Sequence, residues 1–170
     1  HELRASVDAV GVGMGTVRAD APRLDARGVP VARRPRRLAF GRGPLPDGSE
    51  LELRSGALED ELAALAAEGV QSLLLEGGPT LATAFLEQGL VDKILLFLAP
   101  VLSGDGPRLL GDLPAPVELV HLTARPIRAD LLPASMECVA HRTGEGEKHF
   151  PLREVRLALD AGLALRGDER

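Results

Sequence analysis

Three leucines run into a carboxylate and two glycines in Leu73-Leu74-Leu75-Glu76-Gly77-Gly78-Pro79-Thr80, and this stretch carries the most chemical information in the chain. Glu76 reads in two ways. It is either a surface residue at the edge of a sheet or a carboxylate held in a cleft, where it binds a substrate hydroxyl or amine. Gly77 and Gly78 allow another group to approach the backbone closely, and Pro79 suits the first turn of a helix. A strand that ends in Gly-Gly and opens into a helix presents unpaired N–H groups at the helix N-terminus, where they and the dipole favour a phosphate. The same residues also suit a plain strand-to-helix turn, and they match neither a P-loop nor G-x-G-x-x-G.

A second glycine-rich stretch, Gly11-Val12-Gly13-Met14-Gly15-Thr16-Val17, ends in a hydroxyl able to hydrogen-bond a cofactor. If the two preceding strands are parallel, both stretches face one edge of the sheet, where open α/β sheets bind ligands. Downstream, Asp20 and Arg27 fit either an Asx-type turn with a solvated arginine or a hydrogen-bonding and anion-binding pair. Arg33, Arg34, Arg36 and Arg37 form a basic cluster that reads as a solvated loop or a phosphate contact. Arg42 follows an apolar strand and is a candidate contact for a cofactor 2′-phosphate. His121 and Cys138 lie in strand-like segments and read as strand residues; no Ser-His-Asp arrangement and no metal-ligand spacing is present.

The elements that must position these groups follow from periodicity. Ser6 to Val12 reads as a buried strand, followed by a turn-rich loop over 14–27; Arg37 to Phe40 reads as a second strand. Leu58, Leu62 and Leu65 predict a helix over Ala57 to Glu68, stopped by Gly69. Val70 to Leu75 reads as a strand, Thr80 to Gln88 as a helix ended by Gly89, and Lys93 to Leu98 as a strand. This β-α-β-α-β order predicts an α/β fold with a mainly parallel central sheet flanked by helices. The proline-rich segments after Pro100 predict an antiparallel C-terminal hairpin region.

A chain of 170 residues, 45% of them hydrophobic, suits one domain. A net charge of -5 argues against a general nucleic-acid partner, and no apolar run approaches the ~20 residues needed to span a bilayer. The single cysteine fits a reducing cytoplasm. No signal-peptide pattern opens the sequence, and His1 in place of methionine points to a fragment or an edited start.

Taken together, 1–27 and 73–106 resemble the reductase domain of bacterial riboflavin biosynthesis, the C-terminal half of a bifunctional deaminase-reductase. Two motifs carry the resemblance: G-x-G-T-V-x-x-D-x-P-x-L-x-x-R over 13–27, and E-G-G-P-x-L-x-x-x-F-L over 76–86. The match extends to about Leu132. It implies a dihydrofolate-reductase-like fold, a cytoplasmic homodimer, and NADPH-dependent reduction of the ribose of 5-amino-6-(5-phosphoribosylamino)uracil to a ribityl chain by direct hydride transfer. Carried over by position, Thr16, Asp20, Gly78, Pro79, Thr80, Leu81, Ala82, Thr83 and Ala84 hold NADPH. Arg4, Leu24, Arg27 and Glu76 contact the phosphorylated substrate, with Glu76 placed nearest the chemistry. No metal is implied. Leu95 to Leu98, with the segment after it, is the expected contribution to a dimer interface.

The sequence departs from the family pattern in three places. The H-x-E and P-C-x-x-C zinc signature of the deaminase is absent from this chain. Ala21 stands where the family commonly has Asp or Asn. The family's opening strand, similar to V-K-x-A-x-S-L-D-G-R-I-A, and its W-I-[ST]-G turn would both precede His1. The reductase domain is therefore expected over 1–150, with a tail over 151–170 whose Val155-Arg156-Leu157-Ala158-Leu159-Asp160-Ala161-Gly162 imperfectly resembles that opening strand. Either the tail takes the first-strand position, by circular permutation or a different natural segment order, or it forms an amphipathic helix. Two other functions fit the sequence: a related reductase of pterin or folate type, and a silent nucleotide-binding or dimerisation domain.

Overall fold

The computed structural model describes residues 1–98, 108–126, 136–142, 152 and 154–160. Their order is α1 (Glu2–Ala5), β1 (Ala9–Gly13), α2 (Met14–Asp20), β2 (Arg36–Phe40), β3 (Glu52–Arg54), α3 (Leu58–Ala67), β4 (Ser72–Leu75), α4 (Pro79–Glu87), β5 (Lys93–Leu98), β6 (Leu119–Pro126), β7 (Met136–Arg142) and β8 (Glu154–Asp160). The strands make one sheet in the order β3-β2-β1-β4-β8-β5-β7-β6. The pairings from β3 across to β5 are all parallel, while β7 runs antiparallel to both β5 and β6.

The helices α3 and α4 follow the expected spacing, and each stops where a glycine takes positive φ, Gly69 at 88° and Gly89 at 69°. Two expectations need correction. The first strand begins at Ala9 rather than Ser6, because Ser6 caps α1 through its backbone N–H to the Leu3 carbonyl, and Asp8 turns its carboxylate to the Gln71 and Ser72 N–H groups. The segment after it is a helix, α2, rather than a loop. Gly15 and two β-branched residues hide that helix from a propensity reading. What anchors it is Met14 and Val17, three apart and both buried.

Hydrophobic residues pack on both faces of the sheet. Leu73, Leu75, Phe85 and Leu157 belong to one face, and Val10, Val12, Val17 and Leu74 to the other. Within β1, Gly11 leaves room for the Phe40 ring, since an added Cβ would lie 2.6 Å from its edge. Phe40 in turn meets Phe85 edge to face at 5.5 Å. Gly11→Ala is accordingly expected to cost about 1–3 kcal/mol, read as a lower urea midpoint at unchanged m-value.

The tail segment is a strand. β8 lies between β4 and β5, with Leu73↔Val155 and Leu75↔Leu157 on one side and Ile94↔Leu157 on the other. Val155, Leu157 and Leu159 are buried, in the alternation of a strand rather than a helix. Asp92 fastens its start, accepting from the Val155 N–H at 2.8 Å, and Glu154 pairs with Lys93 and Arg156. Residues 161–170 lie outside the described residues.

The basic cluster is largely paired internally. Arg36 and Arg37 stand on β2, where Arg36 meets Glu52 and Glu68, Arg37 meets Glu50, and Arg33 meets Asp8. Burial alone would raise the Asp8 and Glu154 carboxyls, but their donors outweigh it and hold both below the usual range. Hydrogen bonds from Arg36 lower Glu52, and those from Arg54 and Arg36 lower Glu68 to about 2. Because these folded values lie below the unfolded ones, their stabilisation is complete above the unfolded carboxylate range and is lost as pH falls through the folded values. The urea midpoint should therefore hold steady from neutral pH to about 5 and fall progressively below about 4.

Candidate active site

β1 and β4 are parallel neighbours, so their glycine-rich ends share one edge of the sheet. The Glu76 N–H donates to the Gly11 carbonyl at 2.9 Å, extending the ladder one residue past β4. This places the carboxylate just beyond the strand end, where the backbone turns into Gly77, Gly78 and α4. At the turn, an added Cβ on Gly78 would meet only Thr16 Oγ1, at 3.7 Å. Between the start of α4 and the Thr16 hydroxyl there is thus a cradle that a side chain would fill. The Thr80 and Leu81 N–H groups, in the first turn of α4, have no acceptor within the helix. A phosphate fits these donors.

Thr16 and Asp20 stand one turn apart on α2, on the same face, with Asp20 exposed. The later residues of the second motif point elsewhere. Ala82 is in the core, and Thr83 is buried, its Oγ1 accepting from the Gly111 N–H at 2.7 Å. Pro79 and Thr80 are exposed, and Leu81 and Ala84 are half-buried.

A second group of residues surrounds Glu76. Arg4, on α1, donates Nε to Glu76 Oε1 at 2.7 Å and Nη2 to Oε2 at 2.6 Å, a forked ion pair. Its Nη1 reaches the Asp25 carbonyl at 3.1 Å. The hydrogen bonds it donates to Glu76 raise the guanidinium further above its usual range. Sequence reasoning treated Arg4 and Glu76 as separate substrate contacts; the structure joins them into one unit. Leu24 has φ 52° and a buried side chain, so its backbone alone faces this corner. Arg27 places Nε 3.2 Å from Asp25 Oδ1, and its own N–H donates to His1 Nδ1 at 3.1 Å.

Asp25 was missed in the sequence, where it fills an unspecified position of the first motif; only its placement between Arg23, itself at an unspecified position, and the motif arginine Arg27 hinted at it. Arg18 was also missed. It donates to the Arg42 carbonyl at 2.7 Å, at the end of β2. His121 and Cys138 lie on β6 and β7 as expected. Among the described residues no group of three or more His, Cys, Asp or Glu is placed to hold a metal ion. No helix among them is long and apolar enough to cross a membrane.

The family model described as the RibD C-terminal domain matches residues 1–132. The chain belongs to that family. It is 32% identical over 157 residues to the riboflavin biosynthesis protein RibD of Corynebacterium ammoniagenes, covering 86% of this chain and 43% of that protein. It is 28% identical over 146 residues to the 2,5-diamino-6-ribosylamino-4(3H)-pyrimidinone 5′-phosphate reductase of Archaeoglobus fulgidus, covering 60% of this chain and 66% of that one. The chain thus spans less than half the length of its RibD relative. Among solved structures, a putative riboflavin biosynthesis protein from Shewanella sp. PV-4 superposes with a TM-score of 0.68 at 23% identity, covering 84% of this chain and 78% of that one. The riboflavin biosynthesis reductase Rib7 of Saccharomyces cerevisiae superposes at 0.63 with 17% identity, covering 84% and 78% respectively. These RibD-type neighbours share the dihydrofolate-reductase-like fold, with its mainly parallel central sheet flanked by helices.

Proposed function

We propose that this RibD-family chain is an NADPH-dependent reductase of a phosphoribosylaminopyrimidine. The reaction would open the ribose of 5-amino-6-(5-phosphoribosylamino)uracil into a ribityl chain. The observation that carries this reading is the meeting, at one edge of the sheet, of a phosphate cradle with a paired-arginine corner. The cradle is Thr16, Gly78 and the start of α4; the corner is Arg4, Glu76 and Arg27.

A bound NADPH supplies the hydride. The protein's part is alignment, because direct transfer needs two ligands held in register and no protein nucleophile. The N–H groups of Thr80 and Leu81, with the Thr16 hydroxyl and Asp20, hold the dinucleotide. Arg4 fixes the Glu76 carboxylate, which accepts hydrogen bonds from the ribose hydroxyls. Arg27 takes the 5′-phosphate. Arg42, whose backbone carbonyl is tied to Arg18, follows β2, the strand on the far side of β1 from β4, and would read the 2′-phosphate. Arg42→Ala should raise the KM for NADPH about tenfold and leave that for NADH unchanged, as measured by initial rates with each cofactor.

We also read β8 as the counterpart of the family's opening strand, on the support of its V-R-L-A-L sequence and its place mid-sheet. Two copies pair into a cytoplasmic homodimer, to which the exposed Leu119 and Leu122 of β6 offer apolar surface. Of the expected interface run, Leu95 is buried and Leu98 exposed, and 99–107 lie outside the described residues.

The test follows the nicotinamide absorbance with three substrates: the deaminated pyrimidine, its 2,5-diamino counterpart and a dihydropterin. Oxidation with either pyrimidine supports the reading, and the ratio assigns the substrate. Oxidation with the dihydropterin alone transfers the chain to a pterin reductase, and NADPH binding without oxidation marks a silent domain.

A further inference from the structure

The carboxylate of Asp25 has no part in the chemistry proposed above, yet it sits in the corner where that chemistry would place a phosphate. Its backbone is fixed by the turn at Leu24, whose side chain is anchored in the core, and by the Arg4 Nη1 contact to its carbonyl. Its Oδ1 is shielded from solvent and accepts no aligned hydrogen bond, although Arg27 Nε lies 3.2 Å away. On the other oxygen, Arg23 Nε is 3.8 Å distant. The side chain of Asp25 is 25% exposed and that of Arg27 61%. The acid is therefore the fixed member of the pair and the arginine the movable one.

We propose that Asp25 is a specificity-determining residue, an internal counter-ion that occupies Arg27 in the ligand-free chain and keeps free phosphate out of the corner. The inference rests on the reading above only in placing the substrate phosphate at Arg27. The charges of the corner are Arg4, Arg23 and Arg27 against Glu76 and Asp25. Glu76 already neutralises Arg4 through both carboxylate oxygens. An anion arriving alone must draw Arg27 from Asp25 and then sit beside a carboxylate that cannot move away. A phosphate attached to a ribosyl pyrimidine has further contacts, at Glu76 and the glycine edge, to offset this competition; inorganic phosphate has none. Discrimination of this kind comes from weakening the wrong ligand.

Asp25→Asn keeps the shape and removes the charge. In titration calorimetry with the whole chain, inorganic phosphate and ribose 5-phosphate should each bind about 3–10-fold tighter to this variant than to the parent, with a steeper salt dependence. Uncharged ribose should show no difference. A parallel urea curve verifies folding, and Asp25→Glu, which restores the charge, should return phosphate affinity toward the parent. Unchanged or weaker phosphate binding in Asp25→Asn overturns the proposal, as does a variant that binds no phosphate. The two readings fail separately: NADPH turnover with unshifted phosphate affinities removes only the role of Asp25. Shifted affinities without turnover of any pyrimidine remove the proposed reaction and keep the anion filter.

Discussion

Glu76→Gln should lower kcat/KM for the pyrimidine substrate about 100-fold while leaving NADPH affinity and the urea midpoint nearly unchanged. The parent carboxylate offers two acceptors to the Arg4 fork, at 2.7 and 2.6 Å. Glutamine keeps one of them and turns an N–H toward an N–H at the other. The fork is broken, Arg4 is left with an uncompensated charge, and the group facing the ribose loses its accepting power. Hydrogen bonds to charged groups contribute about 1.5–3 kcal/mol, which sets the expected loss between roughly 10- and 150-fold. Folding should tolerate the change, because both side chains retain partial contact with water, 21% for Arg4 and 26% for Glu76. Arg4→Lys provides the companion measurement: it keeps the charge but not the fork, and should cost about tenfold. Full turnover in Glu76→Gln would remove the acid from the active site, whatever the fate of the reductase reading.

The second large effect concerns stability. Leu157 is fully buried on β8, with β4 on one side and β5 on the other. Leu157→Ala should cost about 2–5 kcal/mol, a fall of roughly 1–2 M in urea midpoint, and Leu157→Asp should abolish cooperative folding. The control is Leu53→Ala on the outer strand β3, away from the proposed dimer surface, where the side chain is 39% exposed and the expected change is about 1 kcal/mol or less. Equal effects at the two positions would mean that β8 is not held in the centre of the sheet.

Periodicity alone made α3, α4 and β5 legible, because each shows a clear apolar spacing and the helices end at glycine. The site was legible in its anchors: Glu76 between leucines and glycines, and Thr16 after a glycine run. The forked pair of Arg4 with Glu76 was not, since it joins residues 72 apart in sequence, and no local pattern encodes such a contact. Helix α2 was hidden because tertiary burial of Met14 and Val17 overrides a poor helix propensity. Asp25 was passed over for a related reason. Its significance lies in which neighbours the turn at Leu24 presents to it, and a single carboxylate in a turn-rich segment carries no signal of its own.

The mid-sheet position of β8 bears on how the chain assembles. Both of its neighbours precede it by a long stretch, with Asp92 and Val155, which pin the start of the strand, 63 residues apart. On a ribosome, β4 and β5 emerge with their facing edges unpaired and wait for the strand that joins them. During that interval the nascent chain carries two open edges flanked by leucines, the form most prone to pair with another molecule. Closure then requires non-local parallel pairing on both sides at once, which is intrinsically slow. Yield from cells should consequently depend on chaperone supply and growth temperature more than the final stability of the protein would suggest.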